Sequence, residues 1–244
     1  MTRPALLAVS HGTDDAAGAA AIALLVQRVS ERLNGAGGPH SASDPSRVEV
    51  RSGFVDVQQP DAPTALAAVD GPVVVVPLLL SQGFHVRVDL GRAVAARADA
   101  VVTDPLGPDA RLAEVLAQRL AEAGAAEDPA APVVLAVAGS RDPRSLPDAE
   151  ESARLLAARL GSAVVPAYLA AREPRLADAL DAHPGSPVAT YLLAHGYFFD
   201  VARRITGSGL LTEPLLDDGE PPQPLVDLVV DRYREGVAQL AARA

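Results

Sequence analysis

The chain has no cysteine and no lysine. Without Cys, disulfides, thiolate nucleophiles, iron–sulfur clusters and thiolate zinc sites are excluded. Without Lys, Schiff-base catalysis and a P-loop lysine are excluded too, and all 21 cationic side chains are arginines. The side chains available for chemistry are His, Asp, Glu, Ser, Thr, Tyr and Arg, and only five of the 244 residues are His.

Positive charge and long apolar runs are also scarce. The 31 acidic residues outnumber the cations and give a net charge of −10, opposite to the basic surface of a nucleic-acid-binding domain. The longest apolar run, residues 73–80, is far shorter than the roughly 20 residues of a membrane-spanning helix. The polar residues 11–15 interrupt the apolar N-terminus, which a signal peptide would not tolerate. We expect a soluble, cytoplasmic protein that binds neither nucleic acid nor membrane.

Short apolar runs alternate with helical patterns along the first half. Runs typical of strands occupy residues 5–10, 48–55, 73–80 and 100–103. Stretches with helical spacing occupy residues 16–33, 63–69, 91–98 and 109–123. Such alternation predicts a parallel sheet that is covered by helices on both faces.

The second half repeats the first. VVLAVAGS at 133–140 echoes LLAVSHGT at 6–13, TYLLAHGYFF at 190–199 echoes PLLLSQGFHV at 77–86, and TEPLL at 212–216 echoes TDPLG at 103–107. A repeat that spans half of the chain is too long for a solenoid. We therefore predict an α/β protein of two tandem flavodoxin-like domains, residues 1–124 and 133–244, joined by a linker at 125–132 and separated by a cleft.

Two histidines are predicted at one edge of the first sheet. Ligands bind outside the carboxyl ends of parallel strands. His11 follows the first strand and His85 the third, each close to a glycine. If these strands are neighbours, the two imidazoles face one crevice, within roughly 4–7 Å, and suit Fe(II), Co(II), Ni(II) or Zn(II) or act as bases near neutral pH. The plainer interpretation, that each is an ordinary loop residue, stays open.

The second half lacks this histidine pair. Ala138 or Gly139 stands opposite His11, depending on a one-residue gap, and Phe198 stands opposite His85. His195 aligns with Gln82 and is predicted to line the cleft from the other side. One site, in the first half, is therefore expected.

Two motifs together resemble the sirohydrochlorin chelatase family. SHGTDD at 10–15 has Thr13 where the family has Ser, and VVVVPLLLSQGFHVRVDL at 73–90 contains the family's Gly-x-His pattern with Asp89 downstream. AGSRDP at 138–143 resembles the first motif with Ala in place of its His. The resemblance covers nearly the whole chain and includes the family's two-copy, chelatase-like form.

The resemblance implies a lyase-class metal chelatase of sirohaem or cobalamin biosynthesis. His11 and His85 would bind the metal and accept the pyrrole protons, with Fe(II) favoured and Co(II) as the alternative. The metal is then a co-substrate beside the tetrapyrrole sirohydrochlorin, and no permanently bound cofactor is expected. The implied substrate-binding residues are Ser10, Gly12, Thr13, Gly83, Phe84, Arg87, His195, Tyr197 and Phe198. Because one chain carries both halves, we expect a monomer.

Two other functions compete with the chelatase. A hydrolase is disfavoured because the chain has no G-x-S-x-G motif, and Ser10 rather than an arginine precedes His11. A non-catalytic carrier of metal or tetrapyrrole needs the same pocket as a chelatase and stays open. Turnover in a spectroscopic metallation assay separates the carrier from the enzyme.

Overall fold

The computed structural model describes residues 3–35, 47–82, 90–125 and 132–243. The elements of the first half are β1 (Ala5–Ser10), α1 (Ala16–Asn34), β2 (Val50–Phe54), α2 (Ala62–Ala67), β3 (Val73–Pro77), α3 (Gly91–Ala95), β4 (Ala100–Val102) and α4 (Ala110–Glu122). Those of the second half are β5 (Val133–Val137), α5 (Ser145–Leu160), β6 (Val164–Tyr168), α6 (Leu176–Ala182), β7 (Val188–Tyr191), α7 (Tyr197–Thr206) and α8 (Gln223–Arg243).

The strands form two parallel sheets. The first has the order β2-β1-β3-β4, and the second has the order β6-β5-β7. A parallel bridge between Val188 and Leu211 extends the second sheet at the position that corresponds to β4. The predicted α/β class with two parallel, helix-flanked sheets is confirmed, and β1 and β3 are neighbours.

Local sequence explains where strands and helices begin. Every residue of β3 is buried, as the apolar run from Val73 to Pro77 predicts for a strand covered on both faces. Three of the first-half helices begin after an aspartate whose side chain accepts a backbone N–H of the first turn. These caps are Asp15, Asp61 and Asp109, and the Asp15 carboxylate accepts the Gly18 N–H at 2.7 Å.

The internal repeat extends to unusual backbone angles. Gly12 has φ +92° and Gly139 has φ +87°. Val57 and Ala171, in the loops after β2 and β6, have φ +62° and +63°. Because non-glycine residues rarely adopt positive φ, this agreement indicates that the two halves share one loop design.

The last helix of each half covers the sheet of the other half. Helix α8 packs on α1, β3 and β4 of the first half, while α4 packs on α5 and β7 of the second. The buried Tyr233 of α8 donates its hydroxyl to the Pro4 carbonyl at 2.7 Å. One continuous apolar core consequently joins the two inner faces. The predicted linker lies mostly outside the described residues, and the division into domains at 125–132 stays a prediction.

None of the helices in the described ranges combines the length and the apolarity that crossing a membrane requires.

Candidate functional site

The first sheet brings the ends of β1 and β3 side by side. Val9 pairs with Pro77 in the parallel ladder, and the Leu78 N–H donates to the Val9 carbonyl at 2.7 Å. His11 directly follows β1 and is exposed to solvent. The chain after β3 therefore leaves the sheet at the edge that carries His11.

The segment with the other predicted ligand lies outside the described residues. This applies to Gly83, Phe84, His85 and Arg87. The separation between the rings of His11 and His85, and the roles of these four residues, stay predictions.

The loop after β1 is fastened to the loop after β2. The Asp56 N–H donates to the His11 carbonyl at 3.0 Å. A Cβ at Gly12 would overlap the Asp56 carbonyl oxygen, and its φ of +92° also favours glycine. The close approach that Gly12 permits is thus to this backbone, and it sets the path of the chain that carries His11.

Thr13 joins the two halves of the molecule. Its N–H donates to Gln58 Oε1 at 3.0 Å, and its hydroxyl donates to the His195 carbonyl at 3.3 Å and accepts the Asp15 N–H at 3.1 Å. Ser10 is buried, with 2% of its surface exposed. The hydroxyl of Thr13 thus stabilises both the loop after β1 and the contact between the two halves. The substrate-binding roles of Thr13 and Ser10 stay predictions.

His195 lies on the second-half side of this contact. Its Nε2 donates to Glu213 Oε2 at 2.7 Å, and its ring packs against Phe199 with the ring centroids 4.4 Å apart. The His195 side chain is 21% exposed. The Glu213 carboxylate can only accept, so Nε2 carries a hydrogen, and within the described ranges Nδ1 has no hydrogen-bond partner.

Two aromatic residues that are predicted to bind substrate begin helix α7 beside His195. Tyr197 is 74% exposed, and its ring contacts that of Phe198 edge-on at 5.4 Å between centroids. The pair offers apolar ring surface next to an imidazole, as stacking on a flat ligand requires. Its contact with substrate stays a prediction.

Glu213 was missed by reasoning from sequence. The available signal was the echo between TEPLL and TDPLG, which sets Glu213 opposite Asp104 at the end of the fourth strand. The His195–Glu213 pair thus occupies the positions that Gln82 and Asp104 hold in the first half. Only folding shows that the two side chains meet.

Gln82, the last described residue before the His85 segment, is anchored to the second half. Its N–H donates to Asp148 Oδ2 at 2.6 Å. Burial raises the pKa of Asp148; the Gln82 N–H opposes this shift, and the nearby Asp104 carboxylate adds to it.

The described residues do not form a closed metal site. In these ranges no three His, Asp or Glu side chains come together as metal ligands do.

Fold and edge together define a class: a duplicated α/β protein whose strand ends carry His11 in the first half and a His195–Glu213 pair in the second. The chain belongs to the CbiX family, whose model matches residues 5–123 and 132–201. This is a chelatase family, and membership supports metal-chelatase activity on a tetrapyrrole.

Solved structures show the same fold. SirB from Bacillus subtilis, solved with Fe3+, is 21% identical, with a TM-score of 0.77 over 99% of this chain and 98% of SirB. DR2241 from Deinococcus radiodurans, described as a multi-domain protein with structural similarity to chelatases, is 18% identical, with a TM-score of 0.65 over 97% of this chain and 56% of DR2241. No curated protein matches the chain.

Proposed function

We propose that the protein inserts a divalent metal ion into sirohydrochlorin, with Fe(II) favoured and Co(II) as the alternative. His11 and His85 bind the ion and accept the two pyrrole protons. The product would serve sirohaem or cobalamin biosynthesis, in the cytoplasm and as a monomer. The observation that supports the proposal is the pairing of β1 with β3, because His11 and the chain that leads towards His85 both leave the sheet at this pair of strands.

The chemistry needs no redox step. The divalent ion enters the ring and two protons leave the pyrrole N–H groups, so charge balances. A neutral imidazole binds such ions through a ring nitrogen and, once the ion has moved, accepts a proton near neutral pH. Labile binding by few ligands helps, because a closed site would retain the ion.

The proposal also includes His195, in the second half. Its carbonyl lies against Thr13, two residues from His11, and Glu213 holds its ring. We assign to His195, Tyr197 and Phe198 the binding of the macrocycle from the second half. The ring surface of Tyr197 and its edge contact with Phe198 support this assignment.

Anaerobic incubation with sirohydrochlorin and Fe(II) or Co(II), followed by absorption spectroscopy, tests the proposal. His11→Ala and His85→Ala are each expected to lower the metallation rate by about 10²-fold or more, the usual contribution of a catalytic acid or base. His183→Ala is the matched control, because His183 caps the C-terminus of α6 before β7 begins and so lies away from the ligand edge. It should metallate at the wild-type rate.

Two outcomes would contradict the proposal. Wild-type rates in both His11→Ala and His85→Ala would remove these residues from the chemistry. Stoichiometric binding of sirohydrochlorin or metal without turnover would instead identify a carrier.

A further inference from the structure

Two pairs of loops at the ligand edges share one backbone design. The first loop pair comprises residues 11–15 and 55–61, and the second loop pair comprises residues 138–142 and 169–175. In the first, the Asp56 N–H donates to the His11 carbonyl at 3.0 Å; in the second, the Ala170 N–H donates to the Ala138 carbonyl at 3.0 Å. This match places Ala138, rather than Gly139, opposite His11, and it makes the two loop pairs comparable position by position.

The charges of the two loop pairs are opposite. The first loop pair has four carboxylates and no cation, for a formal charge of −4, and the second has a formal charge of +1. Three equivalent positions change to arginine. They are Asp14 to Arg141, Gln58 to Arg172, and Asp61 to Arg175.

Two of these arginines have no carboxylate partner among the described residues. Arg175 pairs with Glu173 at 3.3 Å. Arg141 is exposed and has no ion pair within the described ranges. Arg172 donates Nε to the Ser140 carbonyl at 2.7 Å and Nη2 to the Arg141 carbonyl at 3.2 Å, so backbone oxygens hold its guanidinium without neutralising its charge.

The one acid in the loop at 138–142 is itself neutralised. Asp142 pairs with Arg144, whose Nη2 lies 2.6 Å from its Oδ2. Within the described ranges neither Arg141 nor Arg172 forms an ion pair, on a chain whose net charge is −10. Such a local reversal of sign attracts anions to this part of the surface.

The second loop pair lies at the same sheet edge as His195. Strand β5, which leads into it, pairs with β7, which leads to His195. The His195 carbonyl accepts the Thr13 hydroxyl of the first loop pair at 3.3 Å. The two edges consequently meet at this contact, one acidic and one basic.

We propose that the second loop pair binds the carboxylate side chains of the macrocycle, through Arg141 and Arg172. This inference rests on the proposed function, since sirohydrochlorin is a polycarboxylate. The acidic first loop pair attracts the metal cation and repels the carboxylates, while the two guanidiniums bind them through charge-assisted hydrogen bonds. The degenerate second half thus orients the substrate so that the ring nitrogens face the histidines.

The test is mutagenesis: arginines of the second loop pair are replaced by the residues at the equivalent positions of the first loop pair. In the double variant Arg141→Asp/Arg172→Gln, we expect the KM for sirohydrochlorin to rise about tenfold or more, because charge-assisted contacts are lost and one contact becomes repulsive. The kcat at saturating sirohydrochlorin and the KM for Co(II) should change far less, as when a contact made equally in the ground state and the transition state is lost. Added salt should raise the wild-type KM more steeply than that of the variant.

Matched variants control for charge and folding. Arg154→Gln removes an exposed arginine of α5 that pairs with Glu151 at 2.6 Å, and it should keep the wild-type KM. Arg172→Lys keeps the charge and should retain most of the binding that Arg172→Gln loses. If the double variant fails to fold, Arg141→Asp alone decides, because this exposed side chain has no ion pair to lose within the described residues.

The outcomes separate this inference from the proposed function. Wild-type metallation together with an unchanged sirohydrochlorin KM in the folded variants overturns the carboxylate-binding role alone. A wild-type protein that neither binds nor metallates sirohydrochlorin overturns the proposed function, and this inference with it.

Discussion

His11 owes its position to the residue that follows it. The loop after β1 lies against the Asp56 carbonyl, where a Cβ at Gly12 would overlap. The equivalent Gly139 lies in the same way against the Ala170 carbonyl, although its neighbour is Ala138. The same loop design is present where the imidazole is absent, so the glycine is required by the backbone of the loop, which in turn positions His11 in the first half.

Asp148 is expected to make the stability of the folded chain depend on pH. Burial raises its pKa, so its ionised form costs stability in the folded chain. That cost is absent below the ordinary pKa of aspartate and is incurred as the pH rises through the raised value. Asp148→Asn abolishes the ionisation, while its amide oxygen can still accept the Gln82 N–H. We therefore expect the variant to unfold at a higher temperature than the wild type at about pH 7.

Thermal unfolding across pH checks this prediction. The two melting temperatures should converge below about pH 4, where aspartate is protonated in both the folded and the unfolded wild type. A difference of constant size at all pH values would show that packing, and not ionisation, distinguishes the variants.

Among the elements, α4 carries the ion-pair network that fastens it to the second half. The buried Arg119 of α4 donates to the carbonyls of Pro214 and Leu215 at 3.1 and 3.2 Å and pairs with Asp217 at 2.6 Å. Its side chain is 5% exposed. One guanidinium thus satisfies two carbonyls of the loop between α7 and α8, while α4 packs on β7.

Arg119→Ala should destabilise the protein strongly. Removing the cation leaves two carbonyls without their donor and Asp217 without its partner, so we expect a loss of about 2–4 kcal/mol in the free energy of unfolding. Urea denaturation measures it. Arg154→Ala breaks an exposed pair on α5 and serves as the comparison, with an expected loss of about 0–1 kcal/mol. Equal losses in the two variants would contradict the role given to Arg119.

At the scale of the whole molecule, α4 and α8 each pack on the sheet of the other half, and this makes the two halves interdependent. Helix α8 covers β3 and β4, and Tyr233 reaches the Pro4 carbonyl next to β1. Without α8, the inner face of the first sheet would expose apolar residues to water, at a cost of about 25 cal/mol per Å². The histidine edge belongs to the half that depends on this helix.

Residues 1–124 alone are expected not to fold cooperatively, because their sheet would lack the helix that covers it. Circular dichroism during thermal unfolding and binding of a hydrophobic dye are the measurements. A fusion of residues 1–124 to 223–243 should recover part of the cooperative transition. Sharp two-state unfolding of 1–124 by itself would show that α8 is dispensable for the first half.

The internal repeat can be recognised in the sequence because each repeated segment is a continuous run of residues. The strand-like and helical runs, the duplication and the placement of His11 at a strand end all follow from local patterns, and the parallel pairing of β1 with β3 confirms the expected order. The sequence alone does not decide whether Ala138 or Gly139 stands opposite His11, because a one-residue gap in a loop has no periodicity. The backbone bonds at Ala138 settle it.

The amino-acid sequence by itself determined the α/β class, the two copies and the strand end where His11 lies, since periodicity and residue type act over neighbouring positions. The tertiary structure alone decided that Glu213 holds His195, that His195 rests on Thr13, and that α4 and α8 cover each other's sheets. Those contacts join residues far apart in the chain, and the packing of apolar faces that brings them together depends on the whole fold.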